Sequence, residues 1–170
     1  PVNEAAIESD PLHASLGLYL NSKEKGRLKY CLLVANHGGS EIKGDKNWED
    51  AARYWAKYFS DPQYVRVNGK PLVVIFDSGV NSITDEQVKI MRETAKKLGF
   101  KDGLAVACCR GTRSAFDIAT RYNVNTLYSG DSRELPYSDI VNATKSTWKG
   151  SPEQPFIPTI TCGWDKRPWE

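Results

Sequence analysis

What this sequence lacks narrows it more than what it holds. No apolar run approaches the ~20 residues that a membrane-spanning helix needs, and the chain does not open on a signal-peptide pattern. No basic block occurs either. Lys and Arg number 23 against 21 Asp and Glu, a formal charge of +2, with both signs spread through the chain. That balance leaves no footprint for nucleic acid or for an anionic membrane surface. Metal-ligand spacing is missing too. Cys31, Cys108, Cys109 and Cys162 lie within or at the ends of apolar β-like runs, without a CxxC pair, and only His13 and His37 could join them. Thiols in such runs are usually buried and inert, so no metal site is expected.

Three nucleotide and nucleophile signatures are also missing. There is no GxSxG elbow, no GxxxxGK[ST] phosphate loop and no GxGxxG fingerprint. His37-Gly38-Gly39 has the form of an esterase oxyanion loop, but no serine elbow accompanies it. No cofactor is expected.

What is present fits one α/β domain spanning 1–170, because 40% apolar residues over 170 positions can fill a core. Residues 1–9 read as an acidic, loose lead-in. Asp10-Pro11 caps a helix carrying Leu12, Leu16, Tyr19 and Leu20. Leu28–Ala35 is a continuous apolar run, as in a parallel strand covered on both faces. Asn47 is placed to cap a helix with Trp48, Ala52, Trp55 and Phe59 on one side. Asn68-Gly69 marks a tight turn before a second strand, Leu72–Phe76. Thr84 and Gln87 form a capping box for a helix buried through Val88, Met91, Ala95 and Leu98.

A third strand covers Leu104–Cys108, with Cys108 and Cys109 pointing to opposite faces. A short helix is expected over Ala115–Tyr122 and a fourth strand over Val124–Tyr128. Another helix starts at Ser138, with Val141, Thr144 and Trp148 inward. A fifth strand runs from Phe156 to Cys162.

Strands spaced in this way pair in parallel through right-handed crossovers. About five strands with flanking helices cannot close a barrel that needs eight and typically ~250 residues. The expected fold is therefore a parallel-stranded, partial (β/α)8 TIM barrel. The alternative is a complete flavodoxin-like five-stranded sheet. Strand order separates them: sequential for the arc, 2-1-3-4-5 for flavodoxin. An incomplete barrel would expose sheet edges and favour self-association.

Parallel α/β sheets gather ligands at the carboxyl ends of their strands. That rule selects Asn36, His37, Asp77, Arg110 and Asp131. Each has a plainer reading: Asp77 and Asp131 can cap their own turns, and Arg110 can brace either one. The last strand releases Gly163-Trp164-Asp165-Lys166-Arg167-Pro168-Trp169 into a loop. Flat indoles at Trp164 and Trp169, beside the Asp165 carboxylate and the Arg167 guanidinium, suit a ligand with C–H faces and many hydroxyls. A sugar is such a ligand.

Two stretches carry a family resemblance. Asp61-Pro62-Gln63-Tyr64, continuing to Gly69-Lys70-Pro71, resembles a segment that precedes a barrel strand in family-99-like and WbsX-like glycan-processing proteins. Gly163-Trp164-Asp165 with Arg167-Pro168-Trp169 is similar to a later loop of the same group, which includes endo-α-mannosidases. The resemblance implies a (β/α)8 glycoside hydrolase with a carbohydrate substrate and an extracytoplasmic or secreted setting. It carries glycan contact onto Trp164, Asp165, Arg167 and Trp169. It also implies a later Glu-Trp-x-Glu motif bearing the catalytic glutamates, which this sequence does not contain. No catalytic residue is therefore assigned. Asp77, Asp131 and Asp165 offer a carboxylate pair only if the fold brings two of them roughly 5–10 Å apart. A glycosyltransferase-type or non-catalytic carbohydrate-binding domain is the competing reading.

Overall fold

The computed structural model describes residues 4–39, 41–77, 82–109, 114–122, 136–148 and 154–160, with backbone alone at 12 and 77. Two short helices open it, α1 (Glu4–Ser9) and α2 (Ala14–Asn21), joined by a 3-10 turn at Pro11–His13. There follow β1 (Leu32–Asn36), α3 (Asp45–Phe59), β2 (Arg66–Val67), β3 (Lys70–Asp77), α4 (Asp85–Lys97), β4 (Ala105–Cys108), β5 (Ile118–Ala119) and α5 (Tyr137–Thr147).

The main sheet runs β1-β3-β4-β5, with every neighbour parallel. Leu32 stands opposite Val73, Leu72 opposite Ala105, and Ala107 opposite Ile118. Ala119 then bridges in parallel to Phe156. Each strand thus lies beside its predecessor in the chain, with Leu72–Phe76 between the strands before and after it. A flavodoxin order expects β1 between β3 and β4; here β3 occupies the middle.

The segment before β3 shows how sequence sets this register. Asn68 and Gly69 both take left-handed backbone, φ 50° and 81°, which a two-residue hairpin turn requires. They fold β2 antiparallel onto the start of β3, with Arg66 opposite Pro71 and Val67 opposite Lys70. Upstream, Asp61 accepts the Gln63 N–H at 2.8 Å and pairs with Lys25 at 3.2 Å. The buried Tyr64 hydroxyl donates to the Leu72 carbonyl at 2.8 Å and accepts from the Leu32 N–H at 3.2 Å. One phenol therefore ties the starts of β1 and β3 together. The Asp-Pro-x-Tyr to Gly-Lys-Pro stretch is a device for launching a strand.

The two sheet faces are packed differently. On one, Val73, Ile75, Val106 and Cys108 meet α3 and α4 through Trp48, Ala52, Phe59, Val88, Met91 and Ala95, all buried. Burying a large side chain of this kind contributes about 1.5–3 kcal/mol. On the other face, Leu72, Val74, Ala105, Ala107 and Ile118 form a smaller cluster with Val65, Val67, Cys109 and Ile157. Cys108 and Cys109 do fall on opposite sides.

Thr84 and Gln87 make both bonds of a capping box, at 3.2 and 3.0 Å. Several other expectations are corrected. Residues 4–9 are helical, held by Lys57, which pairs with Glu8 at 2.7 Å and Glu4 at 3.5 Å. Helix α3 begins earlier than Asn47: Gly44, at φ 79°, precedes it, and the Asn47 amide donates to the Lys43 carbonyl at 2.7 Å from within the first turn. β1 is open on one side, where Leu33 and Ala35 are exposed. Residues 118–119 are strand, not helix, since Asp117 N–H and Thr120 N–H bond to the β4 carbonyls of Val106 and Cys108, both at 2.9 Å. Trp148 leans outward, donating from Nε1 to the Thr159 carbonyl at 2.8 Å. The strand expected at 124–128 lies outside the described residues. The last strand is seen as the Phe156 bridge alone, with residues 157–160 not in strand and 161–162 outside the description.

Candidate functional site

The carboxyl ends of β1 and β3 are level, with Asn36 opposite Asp77. Asn36 is fully buried, and its Oδ1 accepts the Ile42 N–H at 3.0 Å. It therefore pins the loop that leaves β1. Beyond it, His37 is half-buried, and its Nδ1 lies 3.2 Å from the Gly38 carbonyl. A carbonyl only accepts, so this contact puts a proton on Nδ1 and makes Nε2 the acceptor of the neutral ring. In the same loop, Glu41 Oε2 accepts the Gly39 N–H at 3.0 Å.

One transverse row crosses the sheet near these ends. Ala35 stands opposite Phe76. Continuing the β3–β4–β5 registers by one residue brings Cys109 and Thr120 into line with them. Phe76 shares its side of β3 with Leu72 and Val74, the face turned away from α3 and α4. Its ring meets His37 edge-on, with centroids 6.1 Å apart and planes at 70°. The Tyr122 ring lies 4.6 Å from the Phe76 ring, inclined at 40°. Tyr122 is 49% exposed. Cys109 donates its N–H to the Ile75 carbonyl at 2.9 Å, and burial pushes its thiol up to about 12. Such a thiol is a packing group rather than a nucleophile at neutral pH. Thr120 donates its hydroxyl to the Ile157 carbonyl at 3.0 Å.

Of the residues selected from sequence, Asn36, His37 and the Asp77 backbone come together at this rim. Arg110, Asp131, Trp164, Asp165, Arg167 and Trp169 lie outside the described residues, as does the Asp77 side chain. Phe76 and Tyr122 are not among the residues that strand polarity selects from the sequence. The alternation Leu72-Val74-Phe76 was the available signal, since it carries one face of β3 to its carboxyl end. Tyr122 was hidden by assigning its neighbours to a helix.

A groove of about 750 Å³ lies elsewhere, along the outer side of β1, lined by Leu32, Leu33, Val34, Ile42, Tyr54 and Trp55 among others. It follows β1 and α3 and does not include His37, Phe76 or Tyr122. Among the described residues no three His, Cys, Asp or Glu side chains converge to hold a metal ion, and no helix is long and apolar enough to cross a membrane.

No curated protein and no solved structure is found to be similar to this chain. A family comparison does find a match. The family described as Glycosyltransferase WbsX aligns with residues 25–127, from the turn before β1 to just beyond Tyr122, which is more than half of the 170 residues. By that match the chain is a domain of a carbohydrate-active family, and it belongs to the WbsX glycosyltransferase family.

Proposed function

We propose that this domain is an arc of a (β/α)8 barrel that receives a glycan at the carboxyl ends of its strands, as part of a glycoside hydrolase of the family-99-like type. The observation that carries this reading is the in-order, parallel run β1-β3-β4-β5, which is the neighbour relation of a barrel wall. The groove beside β1 adds support. Among the described residues β1 pairs on one side only, and the other side is an apolar trough. A further parallel strand has its place there. Left uncovered, the same edge favours self-association.

In this reading His37 and Asp77 contact sugar at the rim, and Trp164, Asp165, Arg167, Trp169, Arg110 and Asp131 extend the contact surface. Asn36 shapes the loop carrying His37 through its bond to Ile42. Hydrolysis needs two carboxyl groups facing across the glycosidic bond, and none is assigned among these residues.

A second reading has its own support, because the matched family is described as a glycosyltransferase. Transfer from a sugar nucleotide and hydrolysis by water are told apart by one experiment. The full-length protein is incubated with α-mannosides and complex glycans, with and without sugar nucleotides, and products are followed by mass spectrometry. Shortened glycans without nucleotide support the hydrolase. Elongation that requires the nucleotide replaces it with the transferase, and binding without turnover leaves a carbohydrate-binding domain.

A further inference from the structure

We infer that Phe76 and Tyr122 form a stacking platform for one pyranose ring, with His37 supplying an adjoining hydrogen-bond acceptor. The inference rests on the carbohydrate reading above and adds to it a subsite with a defined orientation of the sugar.

Three observations converge on this place. Phe76 is the last residue of its alternation on β3, on the sheet face that α3 and α4 leave bare. The Tyr122 ring lies 4.6 Å from the Phe76 ring and is inclined to it by 40°, and half of Tyr122 is open to solvent. The His37 ring also meets Phe76 edge-on, with its Nδ1 engaged by the Gly38 carbonyl. These groups come from three separated parts of the chain, and the sheet sets them side by side at one end.

The chemistry selects the ligand. An aromatic face carries negative quadrupolar charge, and the C–H bonds of a sugar ring, polarised by neighbouring oxygens, present a complementary positive face. With centroids 4.6 Å apart the two rings pack against each other, so Phe76 backs Tyr122 and the outer face of Tyr122 is the surface offered to a sugar. A pyranose lying across it would turn its hydroxyl-bearing edge toward the rim, where His37 Nε2 can accept from one hydroxyl. The Tyr122 phenol at the outer margin can pair with another.

The test uses the full-length protein. Saturation-transfer NMR is run with methyl α-mannoside, methyl α-glucoside and chitobiose as probes, and with sorbitol as a polyol that has hydroxyls but no ring face. Affinities of wild type, Tyr122→Ala, Tyr122→Phe and Phe76→Leu are compared after circular dichroism confirms that each folds. The platform predicts transfer concentrated on the C–H protons of one sugar face and none to sorbitol. It also predicts at least about a fivefold loss of affinity for Tyr122→Ala, with Tyr122→Phe within about twofold of wild type. Binding that Tyr122→Ala and Phe76→Leu leave unchanged overturns the platform while the carbohydrate reading stands. Sorbitol binding as tight as the sugars also overturns it, since stacking would then play no part. Wild type that binds no ring sugar overturns the platform and the carbohydrate reading together. Should Phe76→Leu fail to fold, the two Tyr122 variants still decide the outcome.

Discussion

The two faces of the sheet were built to different specifications. On the helix side, Val73, Ile75 and Val106 interlock with Trp48, Phe59 and Met91, and all six are fully buried. On the other side the sheet carries Ala105, Ala107 and Val74 under a thin cover from Val65, Val67 and Ile157, and Leu33 is 45% exposed. A face that must only hold helices is filled with bulk. A face that ends in the partly buried Phe76 and the half-exposed Tyr122 keeps its bulk for the rim. Stability is concentrated on the first, and binding is proposed for the second.

The largest effect that would sharpen this contrast comes from paired truncations. Trp48→Ala should cost about 3–5 kcal/mol in urea unfolding, because the indole is sealed between α3 and its neighbours and leaves a cavity. Leu33→Ala, in mid-strand on the open side, should cost no more than about 0.5 kcal/mol. Comparable losses for the two would mean that the thin face carries as much stability as the thick one, and the comparison would collapse. Next in size is Tyr64→Phe. It keeps the packing but strands the Leu72 carbonyl and the Leu32 N–H, which the hydroxyl serves at 2.8 and 3.2 Å. The expected loss is about 2–3 kcal/mol in the same assay. A loss under about 0.5 kcal/mol would show that the phenol does not join β1 to β3.

These differences explain what could be read from the sequence. Elements whose signal is local were legible. The Thr84–Gln87 box, the Asn68-Gly69 turn and the faces of α3 and α4 depend on spacing within a few residues, and they appear in the structure except at Leu98, which is 41% exposed at the end of α4. So were the positions of β1, β3 and β4, which are strongly apolar. Residues 118–119 were misread because two apolar residues inside a short window fit either period. Only the β4 carbonyls decide between them, and those are distant in sequence. The open side of β1 was illegible for a related reason. An apolar run states that a strand can be covered, whereas coverage depends on what packs there. The rim divides in the same way. His37 followed from strand polarity, but the meeting of Phe76 with Tyr122 depends on register across three strands.

The smallest effect distinguishes the faces by pH. Cys109 belongs to the thin face, and burial raises its thiol from an ordinary value of 9.0 to about 12, with the neighbouring Cys108 adding to the shift. The neutral thiol is the form the fold prefers. The unfolded chain therefore releases this proton from about pH 9, while the folded chain holds it until about pH 12. Stability should be full below pH 9 and decline across that window, by on the order of 1 kcal/mol once the half-open surroundings are allowed for. Tyr30 and Tyr58, also raised by burial to about 12 from 10.0, join the decline roughly one pH unit later. The Cys31 thiol, likewise raised from 9.0 by burial, shares the early part of this decline, so Cys109→Ala should make that part shallower and leave the later one, as read from urea midpoints between pH 8 and 11. A wild type and variant that lose stability equally between pH 9 and 10 would show the Cys109 thiol to be as solvated as in the unfolded chain. The thin face would then be open to water at its centre, and its role would be binding alone.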